Sequence, residues 1–418
     1  MKARKVRIET LGCKLNRAET DILAEHFLRS GYCLTSSVVD ADVYILNTCT
    51  VTHIADRKSR HLLRAAHRSN ANAFVVATGC YTQYKGRELA AIDGVDMVVG
   101  NDEKMNILTL IESKGYSVNK NDSKRELRLG KINPFKNRAF IKVQDGCNNF
   151  CAYCIVPLVR GPEKSIPAGE IIARIKEKVI HGYKEVVLTG TEIGSYHDKG
   201  ITLIGLVKKI LDETMIERLR LSSLQPKHIT PQFIELWKNR RLCPQLHLPL
   251  QSGSEKVLRR MKRSYSIKDY DKAICLIRKI PDVAITTDVI VGFPGESTSE
   301  FEESFNYYKI KNFARIHVFP FSLRSGTKAT EMNGQINANI KKQRSKLMIK
   351  LAEKSAKKFR ERFMGEIRHV LWEKKSNGIW SGLTSNYIRV YAKNYKNLTN
   401  KITRIKLEKL YKDGVWGI

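Results

Sequence analysis

The sequence predicts an α/β protein in three parts. They are a doubly wound N-terminal parallel sheet over residues 1–125, a central partial (β/α)6 barrel over 136–340, and a small C-terminal antiparallel β-barrel over 365–418. A basic helix over 341–364 connects the last two. Three observations predict this arrangement. Short β-rich runs alternate with helical patterns over the first part, as parallel sheets require. A polar, charged linker at 118–136 interrupts that alternation, which then restarts. From Gly365 onward the apolar period changes to two, the period of antiparallel strands.

In the first part the strands fall at 6–10, 43–47, 74–78 and 97–99, and the helices at 16–30, 54–69 and 84–91. Cys13, Cys49 and Cys80 share one address, two or three residues beyond a strand's carboxyl end. In a parallel sheet those ends lie along one edge, where ligands bind. Three unrelated buried cysteines are the plain alternative. The repeated address favours one three-thiolate site instead.

The second part carries candidate strands at 139–144, 185–189, 218–222, 245–250, 284–291 and 315–319, with helices such as 168–181 and 267–279 between them. Six β/α units are too few for a closed eight-stranded barrel and suit an open partial one, with its site at the strand carboxyl ends. Directly after the first strand stands Cys147-Asn-Asn-Phe-Cys151-Ala-Tyr-Cys154. Three thiolates in one short loop suit three irons of a [4Fe–4S] cluster and leave the fourth iron open to chelate a small molecule. Structural zinc closes with four Cys/His ligands, usually as separated pairs, and no fourth Cys or His lies near.

The connecting helix holds ten Lys/Arg and two Glu between Lys341 and Arg362. Leu347, Leu351 and Phe359 would share its buried stripe. Its basic face is either a solvated connector or an RNA surface. The last part reads as strands at 369–373, 379–383, 387–391 and 402–407. There Lys and Arg interleave with Trp380, Tyr387 and Tyr391, either as an RNA-stacking surface or as ordinary core aromatics.

Lys+Arg 74 against Asp+Glu 42 gives a net charge of +32, which attracts polyanions without specifying a fold. A lysine-rich solvated surface is the plain alternative. No apolar run approaches membrane-spanning length, and Met1-Lys-Ala-Arg-Lys5 opens no signal peptide. The expected location is the cytoplasm, with no membrane. In that reducing setting the nine cysteines read as metal or redox residues and not as disulfides. Cys33, Cys243 and Cys275 lack both the spacing and the strand-end address and read as structural.

The CxxxCxxC run with its neighbours, Gln144-Asp-Gly before it and Ile155-Val-Pro after it, resembles the radical S-adenosylmethionine (SAM) superfamily. The order of parts resembles the methylthiotransferases of that superfamily, whose last domain is called TRAM. Gly12-Cys-Lys-Leu-Asn16, Asn47-Thr-Cys-Thr-Val51, His247-Leu-Pro-Leu-Gln-Ser-Gly-Ser254 and Thr287-Asp-Val-Ile-Val-Gly-Phe-Pro-Gly-Glu296 extend the likeness over essentially the whole chain. Within the family, Gly12-Cys-Lys-Leu-Asn16 and Arg220-Leu-Ser-Ser-Leu224 look most like the branch acting on N6-threonylcarbamoyladenosine at tRNA position 37. Gln225 departs from the family, which is expected to carry Glu there.

The resemblance implies two [4Fe–4S] clusters and SAM as cofactors. Cys147, Cys151 and Cys154 would hold the catalytic cluster that cleaves SAM to a 5′-deoxyadenosyl radical. Cys13, Cys49 and Cys80 would hold the second cluster, which presents sulfur. The product would carry a methylthio group at C2 of adenosine. Tyr153 would lie against the adenine of SAM. Thr189, Gly190 and Glu192 would lie near the methionyl amino group, and Ser222, Gln251, Asp288 and Gly292 would line the rest. The implied partners are the tRNA anticodon stem-loop and an electron donor such as flavodoxin or ferredoxin; the sulfur donor stays open. Isopentenyl-adenosine tRNA and a ribosomal-protein aspartate are alternative substrates. A non-catalytic iron–sulfur RNA-binding protein or redox sensor is the alternative from another class.

Overall fold

The computed structural model describes residues 4–118 and 137–418. The linker read at 118–136 lies outside the described residues apart from Val118.

The N-terminal part runs β1 (Lys5–Thr10), α1 (Lys14–Arg29), β2 (Cys33–Leu34), β3 (Val43–Thr48), α2 (His53–Ser69), β4 (Phe74–Gly79), α3 (Cys80–Ala90), β5 (Met97–Val99) and α4 (Ile107–Ile111). Its strands form one parallel sheet in the order β2-β1-β3-β4-β5. Alternation along the strands builds two cores. Val43, Ile45 and Val76 pack against Leu23 and Phe27 of α1 and Ile107 and Ile111 of α4. Tyr44, Leu46, Val75 and Ala77 pack on the other face against Leu63 and Ala66 of α2 and Leu89 of α3. The sheet is therefore doubly wound. The chain leaves β1 toward one face and β3 toward the other, and that divergence opens a crevice at the carboxyl ends.

The central part contributes six parallel strands, β6 (Arg138–Lys142), β7 (Glu185–Thr189), β8 (Arg218–Leu221), β9 (Gln245–His247), β10 (Ala284–Val291) and β11 (Arg315–Pro320). They form two three-stranded sheets, joined by bridges at Leu219↔Leu242 and Ser223↔His247, so spatial order follows chain order. Apolar residues such as Ile141, Leu188 and Leu219 face a helical layer that includes α6 (Ala168–Ile180), α7 (Leu203–Glu213) and α8 (Ile267–Ile277). Two further helices follow, α5 having been passed at Val156–Arg160: α9 (Thr298–Lys311) and α10 (Ala338–Glu361).

The inward-facing residues are mostly polar and charged. Register places Arg138, Glu185 and Arg218 side by side at the strands' amino ends, then Phe140, Val187 and Arg220, then Lys142 and Thr189. Glu185 is fully buried between Arg138, Arg218 and Arg220. Burial pushes its carboxyl up, but the arginines outweigh burial and hold it down at about 2. The remaining guanidinium hydrogens dock the C-terminal barrel. Arg218 donates to the carbonyls of Leu383 and His369 (both 2.9 Å), and Arg220 to those of Ser385 (2.6 Å) and Thr384 (2.8 Å).

Four expectations change in α10 and beyond. The buried side of α10 is Arg344, Met348, Leu351 and Phe359, while Leu347 faces solvent at 50% exposure. The stripe is rotated because Arg344 turns inward to meet Glu296 at 2.6 Å. The C-terminal barrel is closed by five strands, β12 (Ile367–Ser376), β13 (Ile379–Thr384), β14 (Arg389–Lys393), β15 (Ile402–Tyr411) and β16 (Gly414–Gly417). It is not wholly antiparallel, because β16 pairs parallel with β14 to close the circle. Its third strand starts at Arg389, since Tyr387 has φ +70° and turns its ring beneath Arg220, 4.6 Å away. Trp380 is buried with Trp372, Val390 and Leu407 in the barrel core, so it offers no stacking surface.

Candidate active site

The three N-terminal cysteines do converge. Cys13 follows β1 by three residues, Cys49 follows β3 directly, and Cys80 opens α3. The strands run slightly longer than the sequence pattern suggests, which draws Cys49 and Cys80 closer to the sheet edge. Polar side chains stitch this edge together. Asn16 donates to the carbonyls of Leu11 and Thr48, both at 2.9 Å. Thr48 donates to the carbonyl of Thr78 at 2.6 Å and accepts from the Tyr81 amide at 3.2 Å. Two glycines leave room. A Cβ on Gly12 (φ +99°) would stand 2.8 Å from the Cys49 sulfur. One on Gly79 (φ +106°) would stand 2.5 Å from the Thr48 carbonyl oxygen. Burial pushes the Cys49 thiol up to about 12 and raises that of Cys13, with the neighbouring thiols adding to both.

The second site is one loop between β6 and α5. Gly146 (φ +68°) lets it fold back on Gly161 and Pro162, whose backbone oxygen would lie 1.9 Å from an added Cβ. The Cys147 amide then bonds the Gly161 carbonyl at 3.1 Å, and Cys154 bonds Cys151 at 3.0 Å. Arg263 donates to the Cys151 sulfur at 3.0 Å and to the Tyr153 hydroxyl at 3.3 Å. Asn149 donates to the Cys147 sulfur at 3.2 Å. Burial pushes Cys154 up to about 12 and raises Cys147. Thiols this far from their ionised form are ones whose deprotonation a bound metal would have to drive.

A buried polar network clamps the two sites together. Arg160, on the helix that follows the cysteine loop, reaches into the N-terminal part. It donates to Glu19 (2.9 Å), Asn16 (2.5 Å) and Asp145 (2.9 Å). Lys104 at 2.5 Å and Lys142 at 3.0 Å complete the shell around Glu19. Burial opposes the Glu19 charge, yet Lys104, Arg160 and Lys142 hold its carboxyl well below the usual range. Arg324 pairs with buried Asp56 of α2. Cys80 packs on Ile155 and Val159. Between the sites lies a cavity of about 170 Å³, bordered by Val51, Thr52, Tyr153, Cys154, Gln251 and Asp288.

The other expected residues divide into two groups. Tyr153, Gln251 and Asp288 line that cavity, and Gln251 holds a left-handed backbone (φ +77°), a strained conformation of the kind stored at functional sites. Thr189, Glu192 and Ser222 are buried; the Ser222 hydroxyl has no hydrogen-bond partner, and one Glu192 oxygen lies 3.4 Å from His228 Nε2. The unpaired buried Ser222 hydroxyl, directly after β8, fits a polar ligand such as SAM. Gly190 packs on Gln144, where a Cβ would lie 2.8 Å from its carbonyl oxygen. Gly292 belongs to a turn instead: its amide donates to Glu296 at 2.7 Å and Lys341 lies against it. Gln225 is explained by its neighbour. Its amide donates to Glu192, a bond that a glutamate there would replace with carboxylate repulsion. Cys243 is buried as expected, Cys33 half-buried, and Cys275 is exposed on α8.

Sequence reasoning missed Arg160 and Arg263. The only signal for Arg160 is a lone charge closing the apolar run Ile155-Val-Pro-Leu-Val159. Arg263 carries none, because it lies 112 positions from the cysteine it touches.

A fold of this kind with two such sites is that of a radical SAM enzyme. Residues 141–308 match the "Radical SAM superfamily" profile, and residues 5–100 match "Uncharacterized protein family UPF0004". A methyltransferase structure, TsrM from Kitasatospora setae with cobalamin and [4Fe-4S] cluster bound, superposes with a TM-score of 0.57, covering 91% of this chain and 80% of that one. At 13% identity it speaks for the fold alone. The threonylcarbamoyladenosine tRNA methylthiotransferase MtaB of Bacillus subtilis is 37% identical, over 97% of this chain and 94% of its own length. A tRNA-2-methylthio-N(6)-dimethylallyladenosine synthase of Thermodesulfovibrio yellowstonii is 33% identical, over 100% and 99%. The chain belongs to the radical SAM methylthiotransferases that act on tRNA, a family that uses SAM and two [4Fe–4S] clusters. No helix among the described residues is long and apolar enough to cross a membrane.

Proposed function

We propose that this enzyme adds a methylthio group to C2 of N6-threonylcarbamoyladenosine at position 37 of tRNA. The observation that carries the chemistry is the pair of three-cysteine sites packed against each other, Cys80 on Ile155, beside a cavity lined by Cys154 and by Val51 and Thr52, which follow Cys49. The substrate choice rests on the greater likeness to the threonylcarbamoyladenosine relative than to the dimethylallyladenosine one, 37% against 33%.

In this reading Cys147, Cys151 and Cys154 hold the cluster that engages SAM, and Cys13, Cys49 and Cys80 hold the sulfur-bearing one. When bound, these cofactors supply one-electron cleavage of SAM and the methylthio group itself. The chain's own residues do the rest. Arg263 orients Cys151 and Tyr153 together. Glu192, fixed by Gln225, and Asp288 would accept from the SAM amino and ribose groups, with Thr189, Ser222 and Gln251 as the other polar residues of the strand ends. Arg160 and Glu19 hold the two sites at a fixed separation. The partners are the tRNA anticodon stem-loop and a flavodoxin or ferredoxin, all in the cytoplasm.

Mass spectrometry of tRNA nucleosides from a deletion strain tests the reading. The 2-methylthio form of threonylcarbamoyladenosine is expected to vanish while the unthiolated form accumulates. Loss of the isopentenyl product instead would move the enzyme to the sister branch.

A further inference from the structure

A second space opens outward from the inner cavity. It is a cleft of about 930 Å³ between β11, α10 and the C-terminal barrel. Arg315, His317 and Phe319, alternate residues of β11, form its inner wall, and Phe319 also borders the inner cavity beside Asp288. The two spaces thus share a wall. On that wall His247, Asp288 and His317 come together, their ligand atoms within 4.8 Å of one another. His247 holds Asp288 at 3.2 Å and Thr286 at 2.9 Å.

Among the described residues, two cations at this wall form no ion pair, although Glu185 acts on Lys14 and Asp413 on Arg315 electrostatically. Lys14, the residue after Cys13, is half-buried at the start of α1 and acts electrostatically on His317 from one side and on Arg138, Arg220 and Tyr387 from the other. Burial depresses its ammonium; Tyr387 and Glu185 act against that, and Arg138 and Arg220 add to it. Arg315 opens on the cleft beside His317. Among the described residues neither makes a hydrogen bond or ion pair. Of the nearby carboxylates, Glu185 is engaged by three arginines, Asp288 by His247, and Asp413 by Arg389 and Tyr391. A partly desolvated ammonium without a paired carboxylate is costly unless a ligand neutralises it, and exposed Arg315 adds a second positive charge at the cleft.

We infer that Lys14 and Arg315, with His317 beside them, form a subsite for a carboxylate carried on the N6 substituent of the target adenosine. This rests on the proposed function and names the residues that would read the substituent. A threonylcarbamoyl group ends in a carboxylate; an isopentenyl group offers nothing to either cation and would leave both unpaired. The same two residues would also attract an RNA phosphate, so the test must separate the two anions.

The reconstituted enzyme is titrated by fluorescence anisotropy with three anticodon stem-loops that differ only at position 37: adenosine, threonylcarbamoyladenosine, and its carboxyl methyl ester. Wild-type protein is expected to prefer the free carboxylate over the ester and over plain adenosine by about tenfold or more. Lys14→Gln and Arg315→Gln should each collapse that preference toward unity, and Lys14→Arg should restore part of it. Arg315 stands far from the cysteines in sequence, so its variant keeps the test sound if Lys14→Gln disturbs cluster assembly, which iron content reports. Equal weakening on all three RNAs would mean phosphate contact and overturn the inference. So would a wild-type preference for the carboxylate that survives both substitutions. Better turnover by wild-type enzyme of an isopentenyl-adenosine stem-loop would instead sink the proposed function.

Discussion

The two cysteine sites are built in opposite ways. Cys147, Cys151 and Cys154 sit in a single loop, and their geometry is set mainly by Gly146 and the Gly161–Pro162 return. Cys13, Cys49 and Cys80 come from three strand ends, and they meet only because β1, β3 and β4 are neighbours in a finished sheet. The first site is local and legible as a motif. The second is a property of topology, and it depends on folding before it exists. The loop site should therefore tolerate damage to the N-terminal sheet, whereas the N-terminal site should not.

The largest effect is expected at Gly79. Alanine there faces a left-handed φ of +106° and a backbone oxygen 2.5 Å away, with neither able to yield. Gly79→Ala should cost about 3 kcal/mol or more and abolish iron binding at the N-terminal site alone, measured as iron per chain and as Tm. Equal loss of iron from the loop site would break the comparison.

Next comes the clamp. Arg160→Met removes the buried partner of Glu19 and Asp145, and breaking a buried network of this kind costs about 3–5 kcal/mol. Limited proteolysis should then separate the N-terminal and central parts more readily, while absorbance from the loop cluster persists.

The same clamp sets a pH dependence. The folded-state pKa values of Glu19, Asp145 and Glu185 are all lowered. Their contribution is present above the unfolded carboxylate value, about 4, and is lost as pH falls through the folded values. Denaturation midpoints should fall steeply below about pH 4, and less steeply in Glu19→Gln. A flat profile there would show that the clamp carries no charge-linked stability.

A smaller effect belongs to RNA binding. Tyr391, Tyr411 and Trp416 form a partly exposed row with ring centroids 5.2 and 5.1 Å apart, with Lys412 over the first two. Tyr391→Ala should weaken stem-loop binding by about 1–3 kcal/mol, the usual value of one base stack. Cys275→Ser, exposed on α8, should change stability by less than about 0.5 kcal/mol and leave the iron content intact.

How much was legible follows from the same contrast. Strands 185–189 and 284–291 were read to the residue because buried parallel strands are apolar runs closed by sharp chemical boundaries. The two three-cysteine groups were legible, one as a motif and the other as a repeated strand-end address. The tilt of α10 was not, because an inward arginine overrode the leucine stripe. The closing strand Gly414–Gly417 is four residues long and gives too little alternation to register. Trp380 and Tyr387 were legible only as a choice between surface stack and core, since in a small barrel the same aromatic spacing serves core and surface alike. Arg160 and Arg263 act across the chain, and periodicity carries no trace of such contacts.

The most direct test is iron counting by Mössbauer spectroscopy on anaerobically reconstituted protein, with Cys49→Ala and Cys151→Ala beside the wild type. The account predicts about eight irons per intact chain, as two [4Fe–4S] clusters, falling to about four in either variant. SAM cleavage should survive only in Cys49→Ala. An intact chain holding about four irons, or a Cys49→Ala variant that keeps all the wild-type iron, would contradict it.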